Sequence, residues 1–150
     1  MIIPDVNLLL YATIEDYDEY AQARPWLLEI MNGDKPVGLT DIVLFGYLRI
    51  GTNPKVFRST LPQPQAALNQ IGAWLAQPHV QYLTSSPAHR DTAFRLMSEQ
   101  GLRGAVITDV QLAAHAIEND ATLHSHDSDF ARIPGLRWHD PLVKKPRPRR

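Results

Sequence analysis

The feature that most constrains this chain is a set of five short apolar runs separated by stretches with helical spacing. The runs lie at residues 2–5, 37–39, 80–83, 121–125 and 136–138. Each is strand-length, and a helix-length segment stands between most of them. Residues 19–32 space Ala23, Trp26, Leu27, Ile30 and Met31 helically, and Asn32-Gly33 closes them; Pro25 puts the start of that helix near Arg24. Residues 41–50 are almost wholly apolar, capped by Thr40 and ended by Gly51. Residues 64–76 present Ala67, Leu68, Ile71, Trp74 and Leu75 on one face. Pro87 opens a helix to about Glu99 with Ala93, Phe94 and Met97 inward, and Thr108 with Gln111 forms a capping box for a helix over 108–119. Strands alternating with helices predict an α/β chain, a three-layer α/β/α sandwich around a mainly parallel sheet. A chain of 150 residues, 44% of them hydrophobic, has enough apolar surface for one such domain.

Charge divides the chain unevenly. The net charge is −1, but residues 144–150 (KKPRPRR) hold five basic residues and no acid. Residues 1–143 therefore carry ten basic and sixteen acidic residues, a charge of −6. The division expected is a folded body over 1–143 and a basic, flexible tail over 144–150. The tail is either a solvated end or a contact for phosphate or an acidic partner. With no cysteine, disulfides, thiolate zinc sites and cysteine nucleophiles are excluded. The start, MIIPDVNLLLYA, has no basic segment and reaches an acid at residue 5, unlike a signal peptide. No apolar run approaches the roughly 20 residues that span a bilayer. The expected setting is cytoplasmic, with no membrane partner.

The chemistry is carried by aspartates. Asp5 ends the first strand, Asp109 begins the helix at 108–119, and Asp127 and Asp129 follow the strand at 121–125. In a parallel sheet, ligands sit beyond the carboxyl ends of the strands. That rule brings Asp5, Asp127 and Asp129 to one edge, and Asp109 joins them if its helix starts there. Each has a structural explanation alone: Asp109 suits a helix N-terminus, and Asp127 and Asp129 suit a turn. Together they would repel unless a cation neutralised them. Hard oxygen ligands without cysteine suit Mg2+ or Mn2+. His124 and His126 are two apart and would share a strand face, but no third ligand is spaced to complete a metal site with them. There is no glycine-rich phosphate loop and no GxSxG elbow, and Ser-His-Asp at 125–127 is merely adjacent in sequence.

Four stretches in order, IIPDVNLLLYA, LTDIVLFGYLRIGTNPKVF, ITDVQLAAHAIENDATL and SHDSDFARIPGLRW, span nearly the whole chain. In them the chain resembles the PIN-domain ribonucleases, specifically the VapC-like toxins of toxin–antitoxin pairs. The resemblance implies a PIN-like fold and a Mg2+- or Mn2+-dependent endoribonuclease. It implies Asp5, Asp109, Asp127 and Asp129 as catalytic acids. Asp5, Asp109 and Asp127 would hold metal, Asp127 or Asp129 would position water or a second ion, and Asn7 would be a polar companion of Asp5. It also implies an RNA substrate, a small cognate antitoxin and a homodimer. The family usually has a further acid, commonly Glu, in the helix at 41–50. Here Gly46 or Leu44 stands near that place, and Asp41 is the nearest replacement, one turn earlier. Arg49 and Asn53 match the family's "LR…TNP" stretch, where a structural role is expected. Arg49, Arg58, Arg103 and the tail are candidate contacts to an RNA backbone. The missing helix acid motivates an alternative, a catalytically impaired PIN module that binds RNA or protein. A haloacid-type phosphatase would need an acid at position 7, which is Asn.

Overall fold

The computed structural model describes residues 1–56, 64–101, 104 and 106–143. Five strands form one parallel sheet: β1 (Ile2–Pro4), β2 (Val37–Thr40), β3 (Val80–Leu83), β4 (Thr122–His124) and β5 (Arg137–His139), in the order β3-β2-β1-β4-β5. Every pairing is parallel, with Pro4 beside His124 and His124 beside His139. The helices are α1 (Val6–Thr13), α2 (Tyr20–Asn32), α3 (Asp41–Gly51), α4 (Pro64–Leu75), α5 (Pro87–Gln100) and α6 (Val106–Glu118). A short 3-10 turn, Ser128–Arg132, joins β4 to β5. All four residues of β2 are buried, so both faces of the central sheet are covered, as a parallel sheet requires. Ile3, Val37, Leu39 and Leu123 form the sheet's part of the core. A Cβ at Gly38 would press on the ends of the Leu83 and Met1 side chains, which would have to shift to admit it.

The expected strands and helices all form, with shifts that have physical causes. α2 starts at Tyr20, not near Arg24, and Pro25 sits inside it. Its first turn is pinned by Ala23, which is fully buried and bonds back to Glu19. Pro25 forgoes a bond only to Ala21, an exposed residue whose carbonyl water can satisfy. α6 begins at Val106, so Thr108 is interior and the Thr108–Gln111 capping box does not form. A turn at Gly104, with φ +73°, feeds straight into the helix. α5 buries His89, Thr92, Ala93 and Leu96, while Phe94, expected inward, is 63% exposed. Leu68 and Leu75 of α4 are exposed as well, leaving Ala67, Ile71 and Trp74 as the buried stripe. The basic tail, Arg58 and Arg103 lie outside the described residues. Among the described residues, no helix is long and apolar enough to cross a membrane.

Candidate active site

The site is built where β1 and β4 end side by side. Asp5 follows β1 and caps α1, its carboxylate accepting from the Val6 N–H at 2.6 Å. Its own N–H donates to the His124 carbonyl at 2.8 Å, continuing the parallel ladder one step past the strands. That step sets Asp5 against Ser125, which is fully buried and donates its hydroxyl to Asp5 Oδ2 at 2.7 Å. Ser125 Oγ also accepts from Asn7 Nδ2 at 3.2 Å and from the Asp127 N–H at 3.0 Å. One proton donated and two bonds accepted exhaust a hydroxyl. Ser125 is therefore the pin that holds Asp5, Asn7 and Asp127 together.

Asp127 then caps the 3-10 turn, accepting from the Asp129 N–H at 2.9 Å. Asp129 is exposed, with Arg132 at 3.7 Å. The loop is fixed from behind. Ser125 N–H donates to the His139 carbonyl at 3.1 Å, Trp138 Nε1 donates to the Ser125 carbonyl at 3.0 Å, and His126 Nδ1 meets Asp140 at 2.7 Å.

Asp109 stands in the first turn of α6, half-buried. A helix N-terminus favours a charged carboxylate, yet Asp109 is pushed up to about 6. Burial is the main cause, followed by the charges of Asp5, Asp127 and Asp129. Asp5 is also raised, because its burial outweighs the hydrogen bonds from Ser125 and Val6 that favour its anion. The four expected carboxylates thus share one electrostatic environment, in which protonation or a cation relieves the repulsion. Asn7 Oδ1 is buried with no hydrogen-bond partner, an oxygen left available beside Asp5. The donor set fits a hard divalent cation in kind: carboxylates and an amide oxygen. Among the described residues, no three acidic or histidine side chains are already closed around one point as ligands.

Asp41 does not join this group. Its carboxylate accepts from the Tyr82 hydroxyl, and it is not among the charges acting on Asp5 or Asp109. Asp41 opens α3 directly after β2, the neighbour of β1, and its carboxylate turns to Tyr82 on edge strand β3, so in this structure it does not stand in for the absent helix acid. Gly46 is buried against Val6, where a Cβ would lie 3.3 Å from Val6 Cγ2, so α3 brings only backbone to that position. Leu44 is buried in the core. Asn53 accepts from the Lys55 N–H at 2.9 Å, a turn-forming role, and Arg49 is an exposed residue in the last turn of α3. His124 and His126 do not share a face, because β4 stops at His124. His124 Nδ1 accepts from Trp26 Nε1 at 3.1 Å, and His126 turns to Asp140.

The sequence reading missed Ser125. A partial signal was present: Ser125 follows a strand-length run as Asp5 does, and the two meet because β1 and β4 pair as neighbours. Reading Ser125 only as part of a Ser-His-Asp triplet obscured this. Arg132 and the anchors Trp138 and Asp140 had no comparable signal.

Comparison with known proteins matches residues 2–136 to the PIN domain family. The chain is 46% identical over 142 residues to ribonuclease VapC33 of Mycobacterium tuberculosis, covering 95% of this chain and 99% of that protein. It is 41% identical over 142 residues to ribonuclease VapC43 of the same species, covering 95% and 96%. Among solved structures, VapBC2 from Rickettsia felis bound to a promoter DNA fragment superposes with a TM-score of 0.65 at 24% identity, covering 93% of this chain and 98% of that one. Mycobacterium tuberculosis VapC20, a toxin that cleaves the sarcin–ricin loop, superposes with a TM-score of 0.67 at 14% identity, covering 91% and 99%. At these identities the structural likeness speaks for the fold.

Proposed function

Because the chain belongs to the PIN-domain family, we propose that it is a Mg2+-dependent endoribonuclease, the toxin of a toxin–antitoxin pair, that hydrolyses RNA phosphodiester bonds. The observation that carries this reading is the convergence of Asp5, Asp109, Asp127 and Asp129, with Asp109 raised to about 6 by burial and by the other three. The names of the two relatives given above, both ribonucleases, support the reaction class.

Asp5, Asp109 and Asp127 are the residues that would hold Mg2+ or Mn2+. When bound, the ion supplies a lowered water pKa and charge stabilisation for a phosphoryl oxygen. The chain's own residues do the rest. Ser125 fixes Asp5, Asn7 and Asp127 in register. Asp129, exposed at the edge of the site, orients the attacking water by accepting its hydrogen bond. Arg132, paired with Asp129, offers a guanidinium to the RNA phosphate. The acidic body is not an obstacle, since a bound cation reverses the local field.

The partner in this reading is a small cognate antitoxin, by analogy with the VapBC complexes of like fold. The resting toxin is a homodimer, and both act in the cytoplasm, where RNA substrate is found. One observation favours a second reading, an impaired module that binds RNA or protein: α3 places Gly46, not an acid, against Val6. The test is cleavage of an end-labelled RNA pool with Mg2+, with chelator, and by Asp5→Asn. Cutting only by the parent with Mg2+ is expected. A folded parent that binds RNA and never cuts it supports the second reading.

A further inference from the structure

A cavity of about 310 Å3 adjoins the carboxylates, lined by Gln100, Val106, Asp109, Phe130, Ile133 and the Asp129–Arg132 pair. It lies between the end of α5, the start of α6 and the 3-10 turn after β4. Its walls are mainly apolar, and its size is at the lower end of the roughly 300–1,000 Å3 of small-ligand pockets. Three kinds of surface meet in it. Val106 and Ile133 supply apolar wall. Gln100 supplies an amide with both donors and an acceptor. Arg132 supplies a cation on an exposed side chain.

The geometry points to this cavity as the seat of one unpaired nucleobase of the RNA substrate, next to the phosphate that is cut. The inference rests on the ribonuclease reading and adds a base-recognising subsite to it. A base has an apolar face, which Val106 and Ile133 match, and an edge of donors and acceptors, which the Gln100 amide matches. Its phosphate carries the charge that Arg132 would meet. Single-stranded RNA is recognised in this way, by splayed bases packed on side chains and read on their edges. A duplex does not fit, because a paired base has its Watson–Crick edge occupied and both faces covered by stacked neighbours. An apolar side chain of a peptide would use the walls alone and neither the Gln100 amide nor the Arg132 cation, which favours the base.

The test uses the full chain and two substitutions outside the carboxylate set. Val106 begins α6 and is 39% exposed, so Val106→Trp fills the cavity from its edge without touching the core. Gln100→Ala removes the amide from the exposed end of α5. Binding is read without divalent ion, by fluorescence anisotropy, using labelled single-stranded RNA and an RNA of equal length with one abasic position. The parent should bind the intact RNA about tenfold more tightly than the best-placed abasic one. Val106→Trp should erase that gap while circular dichroism and melting remain parental, and Gln100→Ala should level the ranking among the four bases. Equal binding of intact and abasic RNA by the parent, or a gap that survives in folded Val106→Trp, overturns the inference. So does a Val106→Trp protein that loses only its hold on antitoxin. Failure of the ribonuclease reading looks different: no RNA is cut with Mg2+, whichever way the bases bind.

Discussion

Ser125 has one hydroxyl proton and three partners that depend on it. Ser125→Ala leaves Asp5 Oδ2 without a donor and the Asn7 amide and Asp127 N–H without an acceptor, while Asp5 Oδ1 keeps the Val6 N–H. An unmet group costs about 1–3 kcal/mol when fully buried and less when part-buried, as all three of these bonds are. A loss of roughly 2–4 kcal/mol in denaturant unfolding is therefore expected. Mg2+ affinity by calorimetry should fall at least about tenfold, as for other groups that orient ligands. A stable Ser125→Ala with parental Mg2+ affinity would remove Ser125 from the site. Asp109 makes a second residue-scale prediction. Its pKa is about 6 folded, against 3.8 unfolded, so between those values the folded chain holds more protons than the unfolded one. Stability of the metal-free protein should thus decline through Asp109 as pH rises from about 4 to about 6. Asp109→Asn should raise metal-free stability at pH 7 and remove that part of the slope. Added Mg2+ should raise the parent's melting temperature at pH 7 and have much less effect on Asp109→Asn.

Between α5 and α6 the interface is polar where a core stripe was expected. His89 and His115 stack with ring centroids 3.9 Å apart, both buried, and His89 Nδ1 has no partner. Thr92 bonds to Glu118 in the same interface. Burial pushes both imidazoles down, His115 to about 4, with His89 adding to the effect on His115; the charges of Glu118 on His89 and Asp41 on His115 act the other way. The sign is opposite to that of Asp109: here the unfolded chain binds more protons, so stability is lost as pH falls from about 6.5 to about 4. His115→Phe should keep the stack and remove the His115 share of the titration, leaving that of His89. Its unfolding midpoint should drop less between pH 7 and pH 5 than the parent's, and an identical drop would show that the pair does not set acid stability. This interface also explains why α5 was misread. Positions 89, 92, 93 and 96 follow helical spacing, but two of them are His and Thr, so the apolar pattern pointed instead to Phe94 and Met97. α3 was legible because its run from Ile42 to Ile50 is apolar but for Arg49, between the Thr40 cap and Gly51. α6 was legible from Leu112 onward, but its start was hidden in Val106-Ile107, β-branched residues that do not announce a helix.

At the scale of the molecule, parallel topology does the positioning. The order β3-β2-β1-β4-β5 makes β1 and β4 neighbours, and their ends deliver Asp5 and Ser125 to one point. The sequence contained the parallel sheet and the shared edge, because strand-length runs separated by helices leave few other sheets to build, and acids at the ends of such runs share an edge. It did not contain the strand order, nor the placement of Asp41 beside Tyr82 at β3, since both depend on which strands pair. Removing residues 144–150 takes five positive charges from a chain whose remainder carries −6. Melting should be unchanged, and the salt dependence of RNA affinity should become shallower; equal slopes for full and truncated chains would make the tail a passive end. The central claim, a carboxylate-held cation that cuts RNA, is tested most directly by initial cleavage rates of a labelled RNA pool at subsaturating Mg2+ over a pH series. The parent's rate should rise as pH passes about 6, where Asp109 gives up its proton to become a ligand, and Asp5→Asn should be inactive throughout. Cleavage that persists at the parental rate in Asp5→Asn, or that ignores a chelator, would contradict it.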